Sequence, residues 1–405
     1  MPDRLANLKR SAILSLAVFA AMIPASTGAQ STTAGQPAPV LNAVEASLPP
    51  SLAGAPIAMM IDLGSGRILY SREADRRFMP ASLTKLMTLY TAFELLDEGK
   101  LSLSQRLPVD DQTFREWSGK GSSMFVARGS TIPVDALLMG IDTVSANDGC
   151  VVLAKGAAGS VEGWTDLMNR KARELGMNDS HFHTPNGWMD EGRTYTTARD
   201  LATLATAIIT RHPEFYHRYF HMPQFTWNGI TQRNRNPLLG AIEGADGLKT
   251  GFTNEAGYGF VGSAERGGRR LVMVIAGTES GRARKAIARD FIDWGFADWE
   301  ARRLYGSGQV VAQIELQGGA MRHVALQTQR SVFLTVPEGG NTSARVSVRY
   351  RGPIVAPLRK GEEVATLDIT ASDGAKSSVP LIASEDVAAA NWWQRLRNGL
   401  FALVS

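Results

Sequence analysis

The chain has few of the residues that build disulfides and metal sites. Its 405 residues include one cysteine, Cys150, and six histidines. A single cysteine excludes an intramolecular disulfide, and no spaced set of His, Cys, Asp and Glu predicts a metal site. No glycine-rich loop follows a strand and opens a helix, so we predict no cofactor. Cys150 precedes the apolar residues Val151-Val152-Leu153-Ala154, which favours a buried core thiol over a reactive one.

Strong net charge and long apolar runs are also missing. The formal charge is +4, and no basic block with interleaved aromatics predicts nucleic-acid binding. One apolar run, residues 12–21, follows three basic residues and ends before Pro24, so it is shorter than the roughly 20 residues of a transmembrane helix. This arrangement predicts a removed signal peptide over residues 1–29, with an uncleaved anchor as the alternative. Its removal lowers the formal charge to +2.

The most informative motif is Ser82-Leu83-Thr84-Lys85, at the head of the apolar run LTKLMTLYTAFELL. If this run is a helix, residues three apart share a face, and the Ser82 hydroxyl can meet the Lys85 ammonium. Serine is a poor nucleophile at neutral pH, and an amine accepts its proton only when burial or neighbouring positive charge lowers the pKa of that amine. The motif therefore predicts a nucleophile beside a base. A helix N-cap is the alternative role of Ser82.

Two further triplets follow in the chain. Ser145-Ala146-Asn147 begins 63 residues after Ser82, and Lys249-Thr250-Gly251 begins 104 residues after Ser145. Each triplet also has an ordinary structural interpretation, a loop turn for the first and the start of a strand for the second. Their order and approximate spacing are those of serine enzymes that act on penicillin and peptidoglycan. Together the three motifs favour an acyl-transfer enzyme.

From about Ile57 to its C-terminus the chain resembles the D-alanyl-D-alanine carboxypeptidases, which are low-molecular-mass penicillin-binding proteins. The resemblance includes Pro80-Ala81 before the first motif, Trp227-Asn228-Gly229-Ile230-Thr231-Gln232, Arg235-Asn236 and Asp246-Gly247-Leu248 before the third motif. It implies a serine peptidase that removes the terminal D-alanine from peptidoglycan pentapeptides and is acylated by penicillins. A β-lactamase of the same fold and a non-catalytic peptidoglycan-binding scaffold are the alternatives.

The strand and helix patterns, with this resemblance, predict an α+β protein. We expect a β-lactamase/transpeptidase-like catalytic domain in which helices flank an antiparallel sheet, and its first and last strands pair. A small all-β sandwich domain and a C-terminal amphipathic helix follow. The predicted parts are a signal peptide (1–29), a flexible leader (30–56), the catalytic domain (57–298), the β-sandwich (299–384) and the amphipathic helix (385–405).

The catalytic roles follow from residue chemistry and from the resemblance. Ser82 is expected to attack the carbonyl of the penultimate D-alanine, with Lys85 as its base. Ser145 and Lys249 are expected to form the opposite wall, where a second ammonium disfavours the charged form of Lys85 and a hydroxyl passes a proton to the leaving amine. Asn147 is suited to orient Lys85 or to bind the substrate peptide bond. Which lysine is neutral at each step stays open.

Substrate binding is predicted along the third motif. Thr250 and Gly251 belong to a strand edge that can pair with an extended peptide, and the resemblance places the oxyanion-binding N–H groups at Ser82 and Phe252. Phe252 is apolar where relatives often carry histidine or threonine. By alignment, Arg282 is the candidate for the terminal carboxylate. Arg235 is a weaker candidate, because it could instead brace the loop before Lys249.

Other polar residues are assigned structural roles. Glu174 and Asn178 superficially resemble the deacylation residues of a β-lactamase, but Gly176 predicts the end of a helix and makes Glu174 a surface charge. His181 and His183 lie in a loop that is predicted to border the cleft. We interpret both histidines as polar loop residues.

The tail, residues 387–404, is predicted to be an amphipathic helix on a membrane surface. Its apolar residues recur at steps of three and four, and Trp392, Trp393, Arg395 and Arg397 are types that settle among lipid headgroups. A helix docked on the β-domain is the alternative. With the signal peptide, the tail predicts a protein held peripherally at the periplasmic face of the bacterial inner membrane.

Overall fold

The structure is a computed structural model that describes the backbone of residues 11–15 and all of residues 47–394. The predicted leader up to residue 46 and the predicted tail beyond residue 394 lie outside the described residues. So does the predicted signal peptide apart from residues 11–15. The chain forms two compact units. One, the catalytic unit, comprises Leu48–Leu63 and Ile68–Phe296, and the other, the β-unit, comprises Ala297 onwards together with Gly64–Arg67 and the N-terminal residues.

Three helices of the catalytic unit begin at good capping residues. Asp110, Ser160 and Thr197 each accept a hydrogen bond from a backbone N–H in the first turn of the helix that follows, which satisfies a donor that the helix itself leaves free. The helices are α1 (Lys85–Asp97), α2 (Asp111–Trp117), α3 (Val134–Thr143), α4 (Asn147–Ala158), α5 (Val161–Glu174), α6 (Ala198–Arg211), α7 (Pro213–Tyr219) and α8 (Gly281–Ala297).

A five-stranded sheet completes this unit, in the order β3-β2-β10-β9-β8. Its strands are β2 (Ile57–Asp62), β3 (Arg67–Arg72), β8 (Ala245–Thr253), β9 (Gly257–Arg266) and β10 (Arg269–Thr278). The first and last segments pair antiparallel, with Met60 opposite Met273, which confirms the predicted closure of the sheet. Two short strand pairs lie elsewhere in the unit: β4 (Arg106–Pro108) with β5 (Thr131–Pro133), and β6 (Gln224–Trp227) with β7 (Ile230–Arg233).

One apolar core joins the helices to the sheet. Phe93 of α1, Leu138 of α3, Trp164 of α5 and Val272 of β10 are fully buried members of it. Burial of a large apolar side chain contributes about 1.5–3 kcal/mol, so this core fixes both the sheet and the helix that follows Ser82. Strand β8 is at the edge of the sheet, as predicted for the segment that carries Thr250 and Gly251.

The β-unit contains a seven-stranded sheet, β1-β15-β17-β18-β13-β12-β16, and a pair of strands, β11 and β14. Alternate apolar residues such as Leu326, Val348 and Leu381 form its core, as expected of the predicted β-sandwich. Its strands are β1 (Ser11–Ser15), β11 (Trp299–Tyr305), β12 (Val310–Gln317), β13 (His323–Thr328), β14 (Val332–Pro337), β15 (Ala344–Arg351), β16 (Ile354–Val355), β17 (Glu363–Ala371) and β18 (Lys376–Ala383).

The start of the C-terminal segment differs from the prediction. Val387 bridges Leu358, Ala389 bridges Gly319, and the side chains of Val387 and Ala390 are buried. These residues are extended because their side chains complete the core of the β-unit, so the predicted helix from residue 387 is wrong at its start. Helical structure begins at Trp392. In residues 11–15 and 47–394, no helix has the length and apolar character needed to cross a membrane.

Candidate active site

The Ser82 hydroxyl lies in a tight turn at the entrance to α1. Residues Ala81–Thr84 form a 3₁₀ helix, and the α-helix begins at Lys85. Three residues complete one 3₁₀ turn, so the two side chains point the same way and Lys85 Nζ lies 2.8 Å from Ser82 Oγ. The sequence predicted this contact for an α-helix, and the tighter 3₁₀ turn brings the two side chains into the same contact.

The Lys85 ammonium has three oxygen neighbours. Besides Ser82 Oγ, it donates to Asn147 Oδ1 at 2.8 Å and to the backbone oxygen of Asn186 at 2.7 Å. The side chain is fully buried, and this burial lowers the pKa of Lys85 to about 8, against smaller opposing effects from Cys150 and Asp148. A buried amine with a lowered pKa is suited to accept a proton from serine.

Two glycines let neighbouring segments approach this turn. A Cβ at Gly251 would lie 2.7 Å from the oxygen of Pro80 and 3.0 Å from Leu83 Cγ. At Gly187, whose φ is +71°, a Cβ would overlap the backbone oxygen of Ala81. Any larger residue would force these backbones apart. The glycine of the third motif is therefore required by the contact of β8 with the serine turn.

The second motif connects α3 to α4. Ser145 has φ +62°, a conformation that non-glycine residues seldom adopt, and its buried Oγ has no hydrogen-bond partner in the described part of the chain. Asn147 begins α4, and its backbone N–H donates to the Ser122 oxygen at 2.8 Å. Its side-chain Nδ2 donates to the Lys120 oxygen at 3.2 Å, which leaves Oδ1 directed at Lys85.

Lys249 of β8 is the second buried lysine of the site, with 2% of its surface exposed. Burial lowers the pKa of Lys249. The carboxylate of Asp142 opposes this effect, whereas the positive charges of Lys85 and Arg235 add to it. The site thus holds two lysine side chains away from water.

A cavity of about 520 Å³ opens above these residues. Most of the residues predicted from the sequence line it, namely Ser82, Ser145, Asn147, Arg235, Thr250, Gly251 and Phe252. Phe252 is 45% exposed and stacks on Tyr258, with 4.1 Å between ring centroids. Phe252, which stands where relatives often carry histidine or threonine, therefore forms an aromatic wall of the cavity.

The predicted role of Arg282 is not supported by its position. Arg282 is exposed and does not line the cavity, whereas Arg284, two residues later on α8, does. Residues two apart on an α-helix face nearly opposite sides, so Arg284 and not Arg282 is the arginine of this pair that reaches the cavity. Arg284 Nη1 lies 3.5 Å from the Gly251 oxygen, and its guanidinium carbon lies 5.5 Å from the centre of the Tyr258 ring. Burial lowers the pKa of Arg284 to about 10.

Arg235 also lines the cavity. Its Nη1 donates to Ser122 Oγ at 2.6 Å, and burial lowers its pKa. The positive charge of Arg235 also contributes to the lowered pKa of Arg284, and both arginines line the cavity. Such a pair can bind a carboxylate with charge-assisted hydrogen bonds.

The loop that contains the two histidines contributes other residues to the site. Asn186, Gly187 and Trp188 line the cavity, while the ring Nδ1 of His181 lies 2.9 Å from the backbone oxygen of Arg193 and neither histidine lines it. Sequence reasoning placed this loop beside the cleft but missed Asn186. The Pro185-Asn186-Gly187 turn was the available signal.

Two structural assignments are confirmed. Glu174 is the last residue of α5, has a half-exposed side chain and pairs with Lys171 at 3.2 Å. It does not line the cavity. Cys150 is fully buried, and burial raises the pKa of its thiol to about 12.

Comparison with known proteins agrees with this geometry. A family model described as D-alanyl-D-alanine carboxypeptidase, Peptidase S11, matches residues 43–280. The chain belongs to this carboxypeptidase family. A model of the penicillin-binding protein 5 C-terminal domain matches residues 299–389. The carboxypeptidase is 33% identical over 343 residues to D-alanyl-D-alanine carboxypeptidase DacA of Escherichia coli (strain K12), covering 84% of this chain and 85% of that one.

Solved structures show the same fold. Penicillin-binding protein 5 from Haemophilus influenzae superposes with a TM-score of 0.67 at 30% identity, over 83% of the carboxypeptidase chain and 98% of the other. Penicillin-binding protein D2 from Listeria monocytogenes, in its ampicillin-bound form, superposes with a TM-score of 0.52 at 31% identity, over 60% of this chain and 97% of that one. The chain is thus a serine-type carboxypeptidase with an α+β catalytic unit and a C-terminal β-unit.

Proposed function

We propose that the carboxypeptidase removes the terminal D-alanine from peptidoglycan pentapeptides through an acyl-enzyme on Ser82. The contact of Ser82 Oγ with Lys85 Nζ, at 2.8 Å in a cavity of peptide size, carries this proposal. Lys85 is buried and already oriented by Asn147, so little reorganisation precedes proton transfer. This role is consistent with the family to which the chain belongs.

In the first half-reaction, Ser82 Oγ bonds to the carbonyl carbon of the penultimate D-alanine and its proton passes to Lys85. The peptide C–N bond then breaks, and the leaving amine of the terminal D-alanine takes up the proton held by Lys85, with Ser145 as the proposed relay. In the second half-reaction water attacks the acyl carbon and gives a proton to Lys85. The bond between the acyl carbon and Ser82 Oγ then breaks, Ser82 Oγ takes the proton back from Lys85, and the shortened peptide is released with a new carboxylate.

Substrate contacts are proposed along β8 and at the two cavity arginines. An extended peptide would pair with the edge at Thr250 and Gly251, and the backbone N–H groups of Ser82 and Phe252 would bind the oxyanion. We assign the terminal carboxylate to Arg284, with Arg235 beside it. Two charge-assisted contacts favour a substrate that ends in a free carboxylate.

Penicillin labelling tests the nucleophile. A structural relative, penicillin-binding protein D2 from Listeria monocytogenes, has been solved in ampicillin-bound and cefotaxime-bound forms, and we propose that β-lactams likewise acylate Ser82. Mass spectrometry of the intact protein should show one added penicilloyl group, on the peptide that contains Ser82. Ser82→Ala should remain unlabelled but folded, because a lost helix-start hydroxyl costs at most about 0.5–2 kcal/mol. Labelling of Ser82→Ala would exclude Ser82 as the nucleophile.

We further propose export by cleavage before residue 30 and peripheral attachment to the periplasmic face of the inner membrane through the tail. The residue pattern of the tail supports attachment, and Trp392 and Trp393 are 64% and 63% exposed. Deletion of residues 392–405 spares the buried Val387 and Ala390. It should release active protein from the membrane fraction. Retention of the truncated protein on membranes would assign attachment to another segment.

A further inference from the structure

Phe252 and Tyr258 form a pair of stacked aromatic rings beside the cavity arginine Arg284. The two residues lie directly opposite each other on β8 and β9, and their rings are inclined by 28° with 4.1 Å between centroids. The guanidinium carbon of Arg284 lies 5.5 Å from the centre of the Tyr258 ring. All three residues line the cavity. The reaction described above uses only the backbone of Phe252, and it gives Tyr258 no role.

The register of the sheet produces this arrangement. Residues that face each other in an antiparallel pair bring their side chains into contact, so the pairing of β8 with β9 sets the ring of Phe252 against that of Tyr258. The start of α8 packs on the same tyrosine, because a Cβ at Gly281 would lie 3.5 Å from Tyr258 Cε1. The Tyr258 ring therefore lies between β8 and the turn of α8 that carries Arg284.

Arg284 has few other contacts that could hold its guanidinium. Its Nη1 makes one long hydrogen bond, 3.5 Å, to the Gly251 oxygen. Its buried Nε has no hydrogen-bond partner among the residues that the structure describes. The charged or titratable groups that act on it are Tyr258 and Arg235, and neither is a carboxylate. Arg270 of β10 differs, because two carboxylates pair with its guanidinium.

Support by an aromatic ring leaves the donors of an arginine free. A guanidinium packs on a ring through its flat face, whereas an ion pair would occupy the N–H groups that bind a carboxylate. Arg284 also lies in the first turn of α8, where the helix dipole disfavours a cation and favours a nearby anion. Ring support therefore suits an arginine that must stay in place until an anionic ligand arrives.

We propose that the stacked rings of Phe252 and Tyr258 position the Arg284 guanidinium for the terminal carboxylate of the substrate. The inference rests on the proposed function, in which Arg284 binds that carboxylate. Tyr258 acts on the guanidinium directly, and Phe252 acts by holding the Tyr258 ring. Their side chains are thus positioning groups. They determine how strongly the enzyme prefers a free terminal carboxylate, and Lys85 determines how readily Ser82 is deprotonated.

The test compares two values of kcat/KM, one for a pentapeptide that ends in D-Ala-D-Ala and one for the same peptide with a terminal amide. Their quotient, the carboxylate preference, cancels any loss that is common to both substrates. Tyr258→Leu should lower the carboxylate preference about three- to tenfold, mainly through a higher KM for the free-carboxylate peptide. Tyr258→Phe keeps the ring and removes the hydroxyl, so its preference should stay within about twofold of the wild type.

Phe252→Thr keeps the proposal testable if Tyr258→Leu does not fold. The Phe252 side chain is 45% exposed, so its replacement leaves the core intact, and the backbone N–H of the proposed oxyanion site is retained. The carboxylate preference should fall at least about threefold, because the Tyr258 ring loses its neighbour. Phe252→His restores a ring that can stack, and it should return the preference to within about twofold of the wild type.

Trp188→Leu is the matched control within the same cavity. Trp188 also lines the cavity, but its ring contacts Trp117 and the ammonium of Lys120. Whatever happens to the rate, the carboxylate preference of Trp188→Leu should stay within about twofold of the wild type, since no cation–π contact with Arg284 is lost.

A double-mutant cycle shows whether Tyr258 acts through Arg284. In the Arg284→Ala background, Tyr258→Leu should change the carboxylate preference by less than about twofold. The proposal is overturned if Tyr258→Leu or Phe252→Thr keeps the wild-type preference, or if Trp188→Leu lowers it as far. An equal further loss in the Arg284→Ala background would also overturn it. Failure of the wild-type protein to release D-alanine from the pentapeptide would instead overturn the proposed function.

Discussion

Lys85 Nζ lies 2.8 Å from Ser82 Oγ, and the two residues come from different elements, the 3₁₀ turn and α1. The same ammonium is held by the side chain of Asn147 and by the backbone of Asn186. Three separate segments therefore fix the position of the base. Because those contacts form on folding, the nucleophile and its base are oriented before substrate arrives.

The rate of acylation should depend on pH through Lys85. Burial lowers the pKa of Lys85 from 10.5 to about 8, and only the neutral amine can take the Ser82 proton. Below about pH 8 the neutral fraction rises tenfold for each pH unit, so stopped-flow acylation by a chromogenic cephalosporin should rise with the same slope. Lys85→Arg should acylate at less than about a tenth of the wild-type rate, since guanidinium does not release its proton. A flat profile between about pH 6 and 8 would show that Lys85 is not the base.

Arg284 should determine the preference for substrates with a free carboxylate. Hydrogen bonds to charged groups contribute about 1.5–3 kcal/mol, and every 1.4 kcal/mol is about tenfold. Arg284→Ala should therefore lower kcat/KM for a peptide that ends in D-Ala-D-Ala by about ten- to hundredfold, with a smaller loss for its terminal amide. Arg282→Ala is the control on the same helix. It should change kcat/KM for the peptide and for its terminal amide by less than about twofold. Equal losses on the two substrates would make Arg284 structural.

Gly251 should be intolerant of a methyl group. The added Cβ would lie 2.7 Å from the Pro80 oxygen, so Gly251→Ala must displace β8 from the serine turn. Overpacking of this kind costs about 1–3 kcal/mol, and we expect a decrease in Tm of about 2–10 °C together with at least tenfold slower penicillin acylation.

Gly306→Ala is the control for that substitution. The nearest atom to its added Cβ is the end of a side chain, at 3.7 Å, and neither activity nor Tm should change. If Gly251→Ala acylates at the wild-type rate, close contact of β8 with the serine turn is not required.

Glu94 should stabilise the helical part of the catalytic unit at neutral pH. It lies 3.0 Å from His212 Nε2 and 2.7 Å from Lys171 Nζ, and the hydrogen bond with His212 is the main cause that lowers its pKa to about 2. Because the folded-state pKa lies below the unfolded value, this stabilisation is complete above about pH 4.5 and is lost as the pH falls toward 2. Glu94→Gln should lower the free energy of unfolding at pH 7 by about 1–2 kcal/mol.

Urea unfolding between about pH 7 and 3 measures this difference. The difference in the free energy of unfolding between the wild type and Glu94→Gln should become smaller as the pH falls below about 4.5. Glu174→Gln is the control, because Glu174 pairs with the same Lys171 but is half exposed, and exposed pairs contribute about 0–1 kcal/mol. A gap for Glu94→Gln that stays constant with pH would show that its ionisation is not the stabilising feature.

Much of the site was predictable because short sequence motifs identify the residues that form it. Ser82 and Lys85 meet through the geometry of one turn, and the three motifs identify the walls of the cavity. The pairing of the first and last strands also follows from the apolar segments. These features depend on short stretches of chain or on the order of segments, which the sequence contains.

Other features depend on tertiary placement that the sequence does not display. Arg282 and Arg284 are equally plausible in the sequence, and the rotation of α8 about its axis decides which one reaches the cavity. Asp142 looks like an ordinary helical residue until its burial is known. Val387 was assigned to the tail helix from its spacing, but it packs into the core of the β-unit, where tertiary burial outweighs the helical pattern.

The most direct test of the account is release of D-alanine from a pentapeptide that ends in D-Ala-D-Ala, followed by mass spectrometry of both products. We predict that the wild-type protein releases one D-alanine per peptide and leaves a tetrapeptide, and that prior acylation of Ser82 by penicillin or the change Ser82→Ala abolishes this release. Undiminished release of D-alanine by Ser82→Ala would contradict the assignment of the chain as a serine D-alanyl-D-alanine carboxypeptidase. So would a pentapeptide that stays unaltered after incubation with the wild-type protein.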